Sequence, residues 1–230
     1  MSTDPIDFDR PIPLFPLPNV VLFPGVVQPL HIFEERYRTM MADTLADQSL
    51  IAMALLKTGW EKDYYGTPAL HSTLCLGKIV AHEKVEDGKF NLLLQGLLRT
   101  RIRSESRHGL YRIAILAPIL DPPPDARADA AHRRTLTALF THGPLAAAPL
   151  AESIRDLLAR TPVTPTMRLV DVIAFSFLQD VAAKQRLLEQ PDPNVRAQDL
   201  IAQLVTLARA KSGDGTAQEG TPWPPPLNTN

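Results

Sequence analysis

In the first half of the chain, apolar positions either alternate with polar ones or fill short continuous runs, which is the signature of strands. Residues 19–23 and 26–33 are two such runs, split by the turn signal Pro24-Gly25. Residues 50–57 form a short apolar run suited to a buried strand. Residues 74–83 and 90–96 flank Asp87-Gly88, a hairpin signal because both turn positions need positive φ. Residues 98–105 alternate: Leu98, Thr100, Ile102 and Ser104 point one way, Arg99, Arg101 and Arg103 the other. Residues 111–116 make one more strand. A single helix interrupts the series over residues 34–46, with Tyr37, Met40, Met41 and Leu45 on one face.

Past Pro122-Pro123-Pro124 the period changes to that of helices. Helices are predicted over 128–142, 150–160, 166–178, 182–189 and 194–210. Thr164-Pro165 and Asp192-Pro193 are start signals, a capping side chain followed by proline at the first helical position. From Ser212 the residues turn to Gly, Thr, Pro and Asn. The pattern therefore predicts an α+β fold: a flexible N-terminus over 1–10, a β-rich unit over 11–121, a helical subdomain over 122–211 and a disordered tail over 212–230.

Composition narrows the function classes. The 230 residues are 45% hydrophobic and 21% charged, with net charge -1. That is an ordinary globular balance with no overall attraction to nucleic acid or anionic membrane. One cysteine, Cys75, excludes an intramolecular disulfide. The acidic start has no apolar signal segment and no run is long enough to span a bilayer, so a cytoplasmic location is expected.

A search for chemistry finds little. Neither Lys57-Thr58 nor Lys211-Ser212 follows the glycines of a P-loop, and no G-x-G-x-x-G or G-x-S-x-G occurs. His82-Glu83-Lys84-Val85-Glu86 opens like the zinc-protease motif but ends in Glu and falls on a strand. There, residues four apart are separated by about 13 Å. Cys75 beside His71 could suggest a thiol nucleophile, but Leu74 and Leu76 favour a buried, inert thiol. No catalytic residue, cofactor or metal site is expected.

Two groups are candidate contact surfaces. Trp60, Tyr64 and Tyr65 lie in a Gly- and Pro-flanked loop and either anchor a partner or tuck back against the barrel. Arg99, Arg101 and Arg103 could face an anionic partner; the preferred reading is a solvated strand face paired with Glu83, Glu86 and Glu105.

The opening, Ile12-Pro13-Leu14-Phe15-Pro16-Leu17-Pro18-Asn19-Val20-Val21-Leu22-Phe23-Pro24-Gly25, closely resembles that of the LON domain. Pro29 to Tyr37, Leu76-Gly77-Lys78-Ile79, Glu86-Asp87-Gly88, Gln95 to Arg99 and Lys184 to Glu189 continue the resemblance over residues 11 to 210. It implies a PUA-like small β-barrel with one helix, followed by a helical subdomain. Full Lon proteases continue into a AAA+ ATPase and a protease with a Ser-Lys dyad, neither of which is present in this sequence. The expectation is a free-standing, non-catalytic module for substrate recognition that binds unfolded or extended polypeptide, or a protein partner, as a substrate-recruitment or adaptor protein in protein quality control. The alternative is RNA binding, as in PUA-like barrels, against which stand the net charge of -1 and the lack of lysine runs.

Overall fold

The computed structural model describes residues 6–123, 125–160 and 165–213. Six strands come first: β1 (Ile12–Leu17), β2 (Val27–Ile32), β3 (Leu50–Leu55), β4 (Thr73–Lys84), β5 (Phe90–His108) and β6 (Tyr111–Pro118). Helix α1 (Glu35–Leu45) lies between β2 and β3. Five further helices follow the strands: α2 (Ala126–Thr141), α3 (Ala151–Arg160), α4 (Thr166–Phe177), α5 (Val181–Glu189) and α6 (Pro193–Gly213).

The strand order is β2-β5-β4-β3-β1-β6, and β5 also pairs with β6. That last pairing closes β5, β4, β3, β1 and β6 into a ring, with β2 added on the outside of β5. Closure removes the unpaired edges that an open sheet would expose. The long β5 makes it possible. Its first part pairs with β2 and β4, and its last part, from Thr100 to His108, with β6. A register shift between Ile102 and Ser104 re-aims the strand along the way.

Alternation divides the apolar residues between two cores. Ile12, Leu14, Leu50, Ala52, Ala54, Leu74, Leu76, Ala114 and Leu116 form one buried cluster. Alanines at three of these positions suit the narrow interior of a small barrel. The residues between them, Phe15, Ile51, Met53 and Cys75, belong to a second cluster with α1 and the later helices. Both faces of β3 are thus covered, which explains why 50–55 reads as an unbroken apolar run. Ile6 and Phe8 pack against the first cluster, so part of the stretch expected to be a flexible N-terminus is docked.

The Asp87-Gly88 hairpin forms as expected, with φ of 57° and 70° at the two turn residues. In α1, Tyr37, Met40, Met41 and Thr44 are buried, while Leu45 is only partly so. Asp192 accepts from the Asn194 amide at 2.8 Å and starts α6 as predicted, with Pro193 first. Thr164, the other predicted cap, lies outside the described residues. The described start of α4 is instead held by α2: Asp129 accepts from the Thr166 amide at 2.8 Å and from its hydroxyl at 2.9 Å. Helix α6 continues to Gly213, past the expected tail boundary; residues 214–230 lie outside the described set.

One strand was misplaced. Residues 19–23, read as a strand, form no ladder, and the first strand is the proline-rich Ile12–Leu17. Proline is tolerated there because each half of β1 is paired on one side. Ile12, Pro13 and Leu14 pair with β6, and Leu14 to Leu17 pair with β3. No helix among the described residues is long and apolar enough to cross a membrane.

Candidate functional site

Two concave surfaces bear on function, and no residue lines both. The larger is a groove of about 540 Å³ at the junction of barrel and helices. Strand β5 supplies Gln95 to Arg99, the segment after β6 supplies Ile119 to Pro123, and α4 supplies Met167, Arg168 and Asp171. Leu97 and Leu98 are partly buried, and Leu120 is 81% exposed. Pro24, Pro122 and Pro123 stiffen the rim. Gly96 is obligatory here, because a Cβ would sit 2.1 Å from the Phe23 carbonyl oxygen of the neighbouring loop.

The floor of the groove is an ion-pair network that the sequence did not disclose. Arg99 donates to both oxygens of Asp171, from Nη1 at 2.9 Å and Nη2 at 2.5 Å, and from Nε to the Leu188 carbonyl at 3.1 Å. Arg196 of α6 donates to both oxygens of Asp121 at 2.8 and 2.7 Å. Arg99 and Asp121 come within 3.9 Å, which joins the pairs. Two arginines and two aspartates thus cancel, tying β5, α4, α6 and the linker after β6 together.

This corrects the reading of the arginine stripe. Arg99 is 3% exposed, whereas Arg101 and Arg103 are exposed. Alternation places Arg99 on the outer side of the strand, as expected, but α4 and the end of α5 cover that side. Its partner is Asp171, and Glu105, expected beside the stripe, pairs with Arg112. A continuous basic face through the three arginines therefore does not exist.

The aromatic loop lies elsewhere. Trp60 opens a short 3-10 turn, Trp60–Asp63. Its ring meets Tyr64 edge-on at 5.4 Å, and Tyr64 meets Tyr65 at 5.1 Å. The Arg36 guanidinium stands over Tyr37 at 4.5 Å and Tyr64 at 4.6 Å. The Tyr64 hydroxyl donates to Glu34 at 2.8 Å. Burial, then this hydrogen bond, pushes the Tyr64 phenol up to about 12. Tyr64 is thus tucked back against α1, whereas Tyr65 is 86% exposed. Between this loop, α1 and the β5–β6 turn lies a cavity of about 40 Å³.

Cys75 is fully buried, and burial holds its thiol well above the ordinary range. His71 is directed to Glu189 of α5 at 2.9 Å, so the two form no nucleophile–base pair. His82 and Glu83 are on the exposed end of β4.

Comparison with known proteins agrees with this architecture. The family model described as the ATP-dependent protease La (LON) substrate-binding domain matches residues 11–206. A Lon protease of Desulfosudis oleivorans is 24% identical over 195 residues, covering 84% of this chain and 23% of its own length. The Lon protease of Escherichia coli K12 is 27% identical over 194 residues, covering 84% of this chain and 24% of its own. The chain thus spans about a quarter of these relatives. Among solved structures, the N-terminal domain of Mycobacterium avium complex Lon protease superposes with a TM-score of 0.66 at 17% identity, covering 85% of this chain and 98% of that one. A Lon N-terminal domain protein from Xanthomonas campestris gives 0.59 at 21% identity, covering 84% and 98%. On its sequence and its fold, the chain belongs to the LON substrate-binding domain family.

Proposed function

We propose that the chain is a non-catalytic polypeptide-binding module that recruits substrates, acting as an adaptor in cytoplasmic protein quality control. The observation that carries this reading is the junction groove. Its walls, Leu97, Leu98, Leu120 and Met167, are apolar, and the charges on its floor are already paired. Such a site favours apolar side chains of an extended segment, because the buried charges of its floor are paired with one another and Arg168 is an exposed lining charge. The family description, substrate-binding domain, supports the same role. No arrangement among the described residues pairs a nucleophile with a base, so neither ATP turnover nor peptide cleavage belongs to the proposal.

The test is a fluorescence titration with a dye-labelled, chemically denatured model protein at two ionic strengths. Affinity around micromolar is expected, since ordering a flexible segment offsets much of the apolar gain. Leu120→Asp and Met167→Asp should each weaken binding about tenfold, and salt should change it little. Absence of binding overturns the proposal. So does binding that Arg101→Glu abolishes while both groove variants leave it intact.

A further inference from the structure

We propose that the small cavity framed by Arg36, Arg107 and Arg112 is a carboxylate-binding site. The three arginines come from α1, the end of β5 and the start of β6, and their side chains all line the cavity. Two of them are fixed in place. Arg36 is held by Glu34 and stacked on Tyr37 and Tyr64, and Arg112 is held by Glu105 and the Pro68 carbonyl at 2.7 Å. Arg107 differs. It donates to the Gly66 carbonyl at 2.6 Å and the Thr67 hydroxyl at 3.2 Å, both neutral, and forms no ion pair among the described residues. Three guanidinium groups thus face two carboxylates, and the charge left over is that of Arg107.

Size selects the ligand. Each water position needs roughly 10–15 Å³. A cavity of about 40 Å³ therefore admits roughly three such positions, enough for a carboxylate and the carbon it stands on but not for a ring. A guanidinium fork matches the two oxygens of a carboxylate. The rim beyond is apolar: Tyr65 is 86% exposed and Leu110 54%. The group that fits is a carboxylate with apolar surface behind it. It has two sources in a polypeptide, the C-terminal carboxylate of a chain ending in an apolar residue, or an Asp or Glu side chain in an apolar context.

The experiment titrates the full chain by calorimetry and by amide chemical shifts with three short peptides. They are acetyl-Gly-Gly-Phe with a free C-terminus, its C-terminal amide, and acetyl-Phe-Glu-Gly amide. Binding of the first or third, at least about tenfold tighter than the amide, supports the proposal and tells which source is read. Arg107→Met should lower that affinity about tenfold, with Arg107→Lys between; because Arg107 is exposed, both variants should fold, checked by circular dichroism. Raising salt from 50 to 500 mM, roughly a threefold shortening of the screening length, should weaken binding severalfold. Affinity of both carboxylate peptides no greater than that of the C-terminal amide, no detectable binding of any peptide, or full affinity in Arg107→Met would each overturn it. Leu120→Asp, in the separate groove, should leave these affinities unchanged, so the fate of one proposal does not decide the other.

Discussion

Replacing Asp171 with alanine removes both carboxylate oxygens from a guanidinium that is 3% exposed. Arg99 would keep the Leu188 carbonyl and a distant Asp121, 3.9 Å away and already engaged by Arg196. Breaking a buried pair on one side typically costs 3–5 kcal/mol, because the remaining charge is stranded. Removing both charges is far milder, since a well-packed apolar pair of similar volume is often neutral. With a urea slope of about 2 kcal/mol/M, Asp171→Ala should lower the denaturation midpoint by about 1.5–2.5 M. Arg99→Met combined with Asp171→Leu should recover most of that loss. The assay is urea denaturation followed by far-ultraviolet circular dichroism on the wild type, both single variants and the double variant. A midpoint shift below about 0.5 M for Asp171→Ala, or a double variant whose loss equals the sum of the singles, would refute the reasoning, because coupled partners must be non-additive.

Further outcomes follow from local geometry. Gly96→Ala should destabilise by about 3 kcal/mol in the same assay, since its Cβ meets a backbone oxygen that cannot swing away, and Gly88→Val by about 1–3 kcal/mol through the strain of positive φ. Cys75 should resist a thiol reagent at pH 8 in the native protein and react at once in denaturant, as a buried thiol held above the ordinary range does. Tyr64, raised to about 12, should ionise later than an unperturbed phenol when absorbance near 295 nm is followed. The folded state favours the neutral phenol, so this contribution to stability is whole below about pH 10 and is lost as pH climbs toward 12; Glu34→Gln should move the Tyr64 titration downward.

What the sequence disclosed and what it hid have a common physical cause. Period-two and period-3.6 patterns report which face of an element is apolar, and turn chemistry reports where the chain reverses. Hence the barrel strands from Leu50 onward, the Asp87-Gly88 hairpin and the five later helices were all legible. Patterns do not report what covers a face. Arg99, Arg101 and Arg103 look equivalent along one strand, and only the packing of α4 and α5 makes Arg99 a buried tie while the other two stay exposed. The partners Asp171, Asp121 and Arg196 lie far away in the chain and carry no local signal. Proline content is a poor guide at the first strand. Pro13 and Pro16 lack the amide hydrogen of a ladder residue, yet the offset pairing of β1 at Ile12–Leu17 leaves room for them.

Both proposed surfaces trace back to the length of β5. The strand contributes Arg99 to the groove floor and Arg107 to the small cavity, eight residues later. At about 3.3 Å per residue, the two points are separated by roughly 26 Å along the strand. A polypeptide following that path to engage both would need at least about eight extended residues. A tripeptide is too short for it and reads the cavity alone, whereas a denatured protein is long enough for either or both. Discriminating between the surfaces therefore rests on ligand length as much as on substitution. If long chains with a free apolar C-terminus bind more tightly than their amides, and Arg107→Met and Leu120→Asp each remove part of that affinity, one strand has aligned two sites for one substrate.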